Sequence, residues 1–239
     1  MSKLFRFKQF QIAQDRCAAK IGTDGVLLGG WVSIKSHPAS ILDIGTGTGI
    51  IALQLAQRSN AQLIDALELD SNAYEQATEN FENSPWNDRL FCYHASFDEF
   101  VLEIEDSYDL IITNPPYYEP HQKSKDQSRD RARFEDALPF PELVQGVKKL
   151  LSSEGQFAVI VPYHRETDFI DLAASSDLIP TRITRVKGNE SSPLKRSLIQ
   201  FVTLDHFEKL QEDELIIEKG RHKYTEAYKT IVKDFYIKM

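Results

Sequence analysis

Between residues 40 and 162 the chain alternates short apolar runs with segments of helical spacing, and this rhythm restricts the fold more than any other feature. "SILDIG" (40–45), "AQLIDALELD" (61–70), "RLFCYHA" (89–95), "YDLIITN" (108–114) and "GQFAVIVP" (155–162) read as strands. "IIALQLAQRS" (50–59), "NAYEQATENFENS" (72–84) and "FPELVQGVKKLLSS" (140–153) read as helices between them. Strands that alternate with helices form βαβ units, hence a parallel sheet with helices on both faces. "TRITRVKG" (181–188) and "RSLIQFVTLDH" (196–206) lie too close together for an intervening helix. They are expected to pair antiparallel and close the sheet edge. "EAYKTIVKDFYI" (226–237) reads as a C-terminal helix.

The first strand ends in "LDIGTGTGI", which holds Asp43, Gly45, Gly47 and Gly49. Glycines between a strand and a helix let the backbone approach a ligand closely. The spacing is G-x-G-x-G and not the G-x-G-x-x-G of a dinucleotide site. Taken alone, the loop is equally a tight strand-to-helix turn. Glu68 closes the next strand about 20 residues on, where an acid can accept from both hydroxyls of a ribose. Asp70 is placed to cap the helix that follows. After the third strand comes "HASFDEF", where Ser96 or Phe97 is positioned to meet the edge of a base and Asp98 to cap a helix. Three successive strand ends thus offer a glycine turn, a ribose acid and a polar group. This pattern resembles the Rossmann-like methyltransferases that use S-adenosylmethionine, over roughly residues 20–205. The glycine spacing fits a cofactor that carries a methionine carboxylate in place of a pyrophosphate.

The fourth strand runs into Thr113-Asn114-Pro115-Pro116-Tyr117-Tyr118. A residue before proline is held extended, so Asn114 continues the strand and then stops. Pro115 and Pro116 fix φ and hold the carbonyls beside them. An exocyclic amine on an aromatic base is a poor nucleophile because its lone pair is delocalised into the ring. Two acceptors aimed at its N–H bonds localise that pair, and the Asn114 side-chain oxygen and the Pro115 carbonyl suit the task. Tyr117 can stack on the base and hold it in line. Oriented carbonyls favour the charge that develops on nitrogen, with no metal and no strong base. The same residues also describe a tight loop with an exposed tyrosine. The motif resembles that of amino-methyltransferases acting on adenine N6, cytosine N4, guanine N2 or protein glutamine.

In "RCAAKIGTDGVLLGGWV" (16–32), Thr23-Asp24-Gly25 precedes an apolar helical run, so Thr23 or Asp24 either caps it or lines the cofactor pocket. "KIGTDGVLLGGW", "ILDIGTGTGIIALQLAQR", "ALELDSNAYEQATENFENSPW", "LIITNPPYY" and "PLKRSLIQF" together are similar to the tRNA adenine-N6 methyltransferases that modify adenine 37 of a valine tRNA. The resemblance implies an α/β fold of the Rossmann-like class I methyltransferases. It implies a mostly parallel seven-stranded sheet with an antiparallel edge strand and helices on both faces. It further implies S-adenosyl-L-methionine as cofactor, N6 of adenine 37 as target and the anticodon arm as partner. The cofactor residues are then Thr23, Asp24, Asp43, Gly45, Gly47, Gly49, Glu68, Ser96, Phe97 and Asn114, and the catalytic ones Asn114, Pro115, Pro116 and Tyr117. One methyltransferase domain over 1–239 is expected, with an N-terminal extension (1–38), a substrate loop (119–136) and a C-terminal extension (207–239).

Net charge is −8, which argues against a globally basic nucleic-acid binder but not against a local basic face. Three clusters qualify. The N-terminus has Lys3, Arg6, Lys8, Arg16 and Lys20 interleaved with Phe5, Phe7 and Phe10. The segment 119–136 has Lys123, Lys125, Arg129, Arg131 and Arg133. The C-terminal region has Lys187, Lys195, Arg196, Lys219, Arg221, Lys223, Lys229 and Lys233. Aromatics between cations suit stacking on unpaired bases, and they equally suit a core. Cys17 and Cys92 form no metal-ligand pattern, and no apolar run is long enough for a signal peptide or a membrane span. The expectation is a cytoplasmic enzyme, a monomer or weak dimer, with RNA and no DNA or membrane as partner. Glutamine-N5 protein methylation and guanine-N2 rRNA methylation are the alternatives. The first usually brings a helical domain for which 1–38 is too short, and the second often a duplicated domain.

Overall fold

The computed structural model describes residues 4–115 and 138–238. The expected βα alternation is present: β3 (Ser40–Ile44), α2 (Ile50–Arg58), β4 (Leu63–Glu68), α3 (Ser71–Glu82), β5 (Leu90–His94), α4 (Phe97–Glu103) and β6 (Tyr108–Thr113). Beyond residue 138 come α5 (Phe140–Leu150), β7 (Leu151–Pro162), α6 (Glu166–Ala174), β8 (Leu178–Asn189) and β9 (Leu194–Thr203). The chain ends in β10 (Gln211–Gly220), β11 (Lys223–Tyr224) and α7 (Glu226–Val232). Before the alternation stand a small hairpin, β1 (Phe5–Arg6) with β2 (Gln11–Ile12), and α1 (Thr23–Trp31).

The sheet order is β11-β10-β8-β9-β7-β6-β3-β4-β5. Among the described residues it has nine strands, where seven were expected. β9 runs antiparallel to both β7 and β8 inside the sheet, and the short β11, antiparallel to β10, forms one edge. The extra strands come from the C-terminal extension: β10 adds parallel to β8, and β11 turns back on β10. "QEDELIIEKG" has three apolar residues among acids, too polar to read as a sheet strand by itself. Its partner supplies the compensation. Arg185 of β8 bonds Glu212 at 2.7 Å and Lys187 of β8 bonds Glu214 at 2.9 Å. Cross-strand pairs of opposite charge stabilise such a pairing. The last helix is also shorter than 226–237, because the chain turns after Val232 so that Tyr236 can bridge to Phe7.

Period-two alternation sends successive strand residues to two separate cores. Ile41, Ile64, Leu110, Ile112, Ala158, Ile160 and Leu198 face α1, α2 and α7. Leu42, Ile44, Ile111, Phe157, Val159, Val161 and Ile199 face α4, α5 and α6. No helix among the described residues is long and apolar enough to cross a membrane.

The hairpin settles one alternative left by the sequence. Phe7 and Phe10 are buried, and their rings stack on each other at 4.7 Å between centroids. Tyr236 and Trp86 complete the cluster. These rings are core and not a platform for bases. Lys8 donates to the Lys233 carbonyl at 2.6 Å. The hairpin meets Phe235 and Tyr236, beside Gly30 at the far end of α1, whereas Asn114 lies against Gly25 at the near end.

Candidate active site

The carboxyl ends of β3, β4, β5 and β6 lie together on one edge of the sheet, because these four strands are parallel neighbours. In an open α/β sheet this is the edge where ligands bind. Gly45, Gly47 and Gly49 turn the chain with φ of 69°, 58° and 80°, in the left-handed region. A Cβ on Gly45 or Gly47 would meet no atom within 4 Å, so these two open the turn towards solvent and a ligand. Gly49 is required for packing as well, since a Cβ there would come within 2.5 Å of the Phe81 ring.

Glu68 sits against this turn. Its carboxylate accepts from Gly47 N at 2.8 Å and from Asp70 N at 2.9 Å. One side chain thereby fixes the glycine turn to the end of β4. Asp70 caps α3, accepting from Ala73 N at 2.8 Å. Leu69, between them, is 46% exposed and presents apolar surface beside the carboxylate. His94 holds the loop, with Nε2 at 3.0 Å from the Leu69 carbonyl and its ring stacked on Tyr74. Leu69 and His94 gave no sequence signal, because each falls inside a run that reads as a strand.

Asp43 is fully buried beneath the turn. Its Oδ2 accepts from Thr46 Oγ1 at 2.6 Å and from Ala52 N at 3.3 Å, while Oδ1 meets no hydrogen-bond partner among the described residues. Burial pushes its carboxyl up to about 7, against the opposing pull of those two bonds. An unfolded aspartate ionises near ~3.9. Between these values the folded chain holds a proton that the unfolded chain has lost, so stability falls as pH rises from about 4 to about 7. The fall has an upper bound of roughly 4 kcal/mol. Thermal melts should show a Tm that declines across this window in the wild type and much less in Asp43→Asn. Parallel profiles would remove Asp43 from the account.

Asn114 follows β6, whose last residue, Thr113, donates from Oγ1 to the Ile44 carbonyl at 2.8 Å. That bond locks the end of β6 to the end of β3, next to the glycine turn. On the other side the first turn of α1 packs close, with the Gly25 Cβ position 3.9 Å from Asn114 Nδ2 and 3.3 Å from Ile50. Two helix N-termini, α1 and α2, therefore flank the same space, and both favour an anionic group. Pro115 is buried. Pro116, Tyr117 and the segment 119–136 lie outside the described residues.

Several expected roles are changed. Ser96 caps α4 in a capping box: its Oγ bonds Glu99 Oε2 at 2.8 Å, and Glu99 N donates back to it at 3.4 Å. Phe97 is buried, packed against Gly146. The Phe97 ring is committed to the core, whereas the Ser96 hydroxyl keeps one acceptor site beyond the capping box, and Asp98 is not the cap. The S-x-x-E spacing carried this signal. Gly22 caps α1 without a side-chain bond, and Asp24 pairs with Arg196 Nε at 2.9 Å, so neither Thr23 nor Asp24 is the cap.

Residues 13–22 cross the site as a strap. Asn80 bonds both Ala13 and the Thr48 carbonyl at 2.9 Å, Arg16 pairs with Glu75 and Glu79, and Cys17 Sγ lies 3.7 Å from the Gly47 carbonyl. Lys20 Nζ donates to the carbonyls of Gln14 and Cys17 at 2.5 and 2.7 Å. Arg16 and Lys20 thus serve the strap.

A family model described as the methyltransferase small domain matches residues 31–172, which take in the glycine turn, Glu68 and Asn114. The solved structure of a predicted O-methyltransferase from Agrobacterium tumefaciens shares the fold, with a TM-score of 0.68 at 18% identity over 89% of this chain and 96% of that one. A tRNA1(Val) (adenine(37)-N6)-methyltransferase from Christiangramia forsetii is 59% identical, over 98% of each chain. The protein of the same name from Flavobacterium johnsoniae is 55% identical over 99% of this chain and 100% of its own length. The chain belongs to the tRNA1(Val) (adenine(37)-N6)-methyltransferase family.

Proposed function

We propose that this protein transfers a methyl group from S-adenosyl-L-methionine to N6 of adenine 37 in the anticodon loop of a valine tRNA. The observation that carries the reading is Asn114, held by Thr113 beside the glycine turn and followed at once by Pro115.

The site suits this cofactor part by part. Gly45 and Gly47 leave room along the turn for an amino-acid moiety, and the N-termini of α1 and α2 favour its carboxylate. Glu68 stands where a ribose diol would donate to a carboxylate, with Leu69 as apolar surface for a ring. Asp43, whose Oδ1 meets no hydrogen-bond partner among the described residues, lies beneath the turn that would carry the ligand. Phe97 can contribute only main-chain groups, since its ring is buried, while Ser96 offers its main chain and the remaining acceptor site of its hydroxyl. When bound, the cofactor supplies an electrophilic methyl on a sulfonium centre.

The chain's own residues orient and polarise the amine. The Asn114 side-chain oxygen and the Pro115 carbonyl accept its two N–H bonds and localise the lone pair towards the incoming methyl. They also stabilise positive charge as it develops on nitrogen, and they need no reorganisation to do so. Tyr117 is proposed to stack on the adenine and keep it in line. The proton leaves after transfer, so no strong base is needed. Adenine 37 lies in a loop, where drawing a base out of its stack costs less than in a duplex.

Transfer of labelled methyl groups into total RNA and total protein, followed by nucleoside and amino-acid analysis, tests the reading. Label in N6-methyladenosine of valine tRNA is expected. Label in protein glutamine or in guanine N2 of rRNA, with tRNA adenine unlabelled, would overturn it.

A further inference from the structure

"PLKRSLIQF" and the basic C-terminal residues have no part in the chemistry above. The sheet topology gives them a common location. β7, β8 and β10 run parallel to β6, so their carboxyl ends share an edge with Asn114, and β9, being antiparallel, begins on that edge. The turn from β10 to β11 reads Lys219-Gly220-Arg221-His222-Lys223. All four basic side chains are exposed, as is Lys195 at the start of β9.

These cations differ from their neighbours in one respect. Arg185 and Lys187 are neutralised across the strand pair by Glu212 and Glu214, and Arg196 by Asp24. Lys195, Lys219, Arg221 and Lys223 enter no ion pair among the described residues. The acids nearby are Glu218, which lies beside Asn189 in the β8–β10 register, and Glu190 in the β8–β9 turn. Glu226 is taken by Lys229 at 2.9 Å. The tip is therefore positive on a chain whose net charge is −8. An acidic protein that binds a polyanion must concentrate its contact on such a surface.

The distance identifies the part of the partner. β10 is four strands from β6, so at ~4.8 Å per strand the turn lies about 20 Å to the side of Asn114. That is too far to touch the nucleotide in the site. It is where a helical arm that carries the loop would run. We propose that the Lys219–Lys223 turn, with Lys195, holds the phosphate backbone of the paired stem of the RNA substrate while the loop enters the Asn114 site. This rests on the RNA reading above. Paired RNA offers side chains its phosphates and 2′-hydroxyls more than its bases, and flexible lysines suit a hold that reads shape and not sequence.

The test compares wild type with Lys219→Gln/Arg221→Gln/Lys223→Gln in the full chain, on valine tRNA and on a loop oligonucleotide without a stem. On tRNA the KM should rise at least tenfold, with kcat within twofold and circular dichroism unchanged. The slope of log KM against log salt should fall by about two, as contacts that release counterions are lost. On the stemless oligonucleotide the two proteins should have the same KM. An unaltered KM and salt slope on tRNA would overturn the proposal, as would an equal rise on the stemless substrate. Loss of binding to phosphatidylserine vesicles with unchanged tRNA kinetics would assign the turn to a membrane surface and overturn it likewise. Wild type that methylates no RNA would overturn the enzymatic reading first, and a wild type active on tRNA with an indifferent variant would overturn this inference alone.

Discussion

Asn114→Ala should slow single-turnover methyl transfer by roughly 10²–10³-fold while cofactor affinity stays within about twofold, the scale on which one preorganised polar group at the reacting centre is worth about 3–4 kcal/mol. The prediction follows from where Asn114 stands. It lies beyond the Thr113–Ile44 bond that fixes the strand end, and beside Gly25 of α1, so it is held in place before any substrate arrives. Alanine removes one of two acceptors and leaves the backbone path into Pro115 unchanged. The loss should appear in the chemical step, because the interaction strengthens only as charge develops on nitrogen. Rapid-quench measurement at saturating tRNA gives the rate, and calorimetry gives the cofactor affinity. Wild-type turnover in the variant would reject Asn114 as the acceptor. A parallel collapse of cofactor binding would make it a pocket wall instead.

Glu68→Ala should weaken cofactor binding by about 100-fold or more, worth roughly 3 kcal/mol, with the fold intact by circular dichroism. The side chain has two tasks. It accepts from Gly47 N and Asp70 N, and it is proposed to accept from the ribose. Alanine ends both, so the glycine turn loses its anchor as well as the ligand its partner. Glu68→Gln separates these effects, since an amide keeps the volume and one acceptor oxygen but has no charge. It should retain much of the turn's order and still bind at least tenfold more weakly than wild type. Calorimetric titration of both variants checks the order wild type, glutamine, alanine. Equal affinity in all three would remove Glu68 from the site.

The glycine turn and the strand end at Asn114 were legible because each is a local pattern. Gly45-x-Gly47-x-Gly49 after an apolar run requires left-handed backbone, and the three φ values are positive. Asn114 before two prolines marks a strand that must stop. Asp70 as a cap was legible for the same reason. Ser96 also caps α4, a role whose signal is equally local. The Glu99 carboxylate three residues on marks a capping box, which uses the Ser96 hydroxyl proton and one of its two acceptor sites. Phe7 and Phe10 were open between stacking platform and core. Interleaved aromatics and cations look alike in both, and only the packing of Tyr236 from the other end of the chain decides for the core.

The sequence by itself determined the parallel α/β core, the glycine turn, the acid at the second strand end and the amide at the fourth. Each rests on hydrophobic period or on backbone restriction within a few residues, and such forces act wherever those residues lie. Only the tertiary structure decided that β10 and β11 extend the sheet, since β10 is too polar to be a strand without the cations of β8 opposite its acids. Only the tertiary structure showed that Asn80 ties the strap to the glycine turn across 67 and 32 residues of sequence. It alone separated the basic clusters, placing Arg6 and Lys8 with the far end of α1 and the Lys219–Lys223 turn on the edge of Asn114. Charge along a chain has no direction until strand polarity assigns each end to an edge of the sheet, and that assignment depends on pairing between residues remote in sequence.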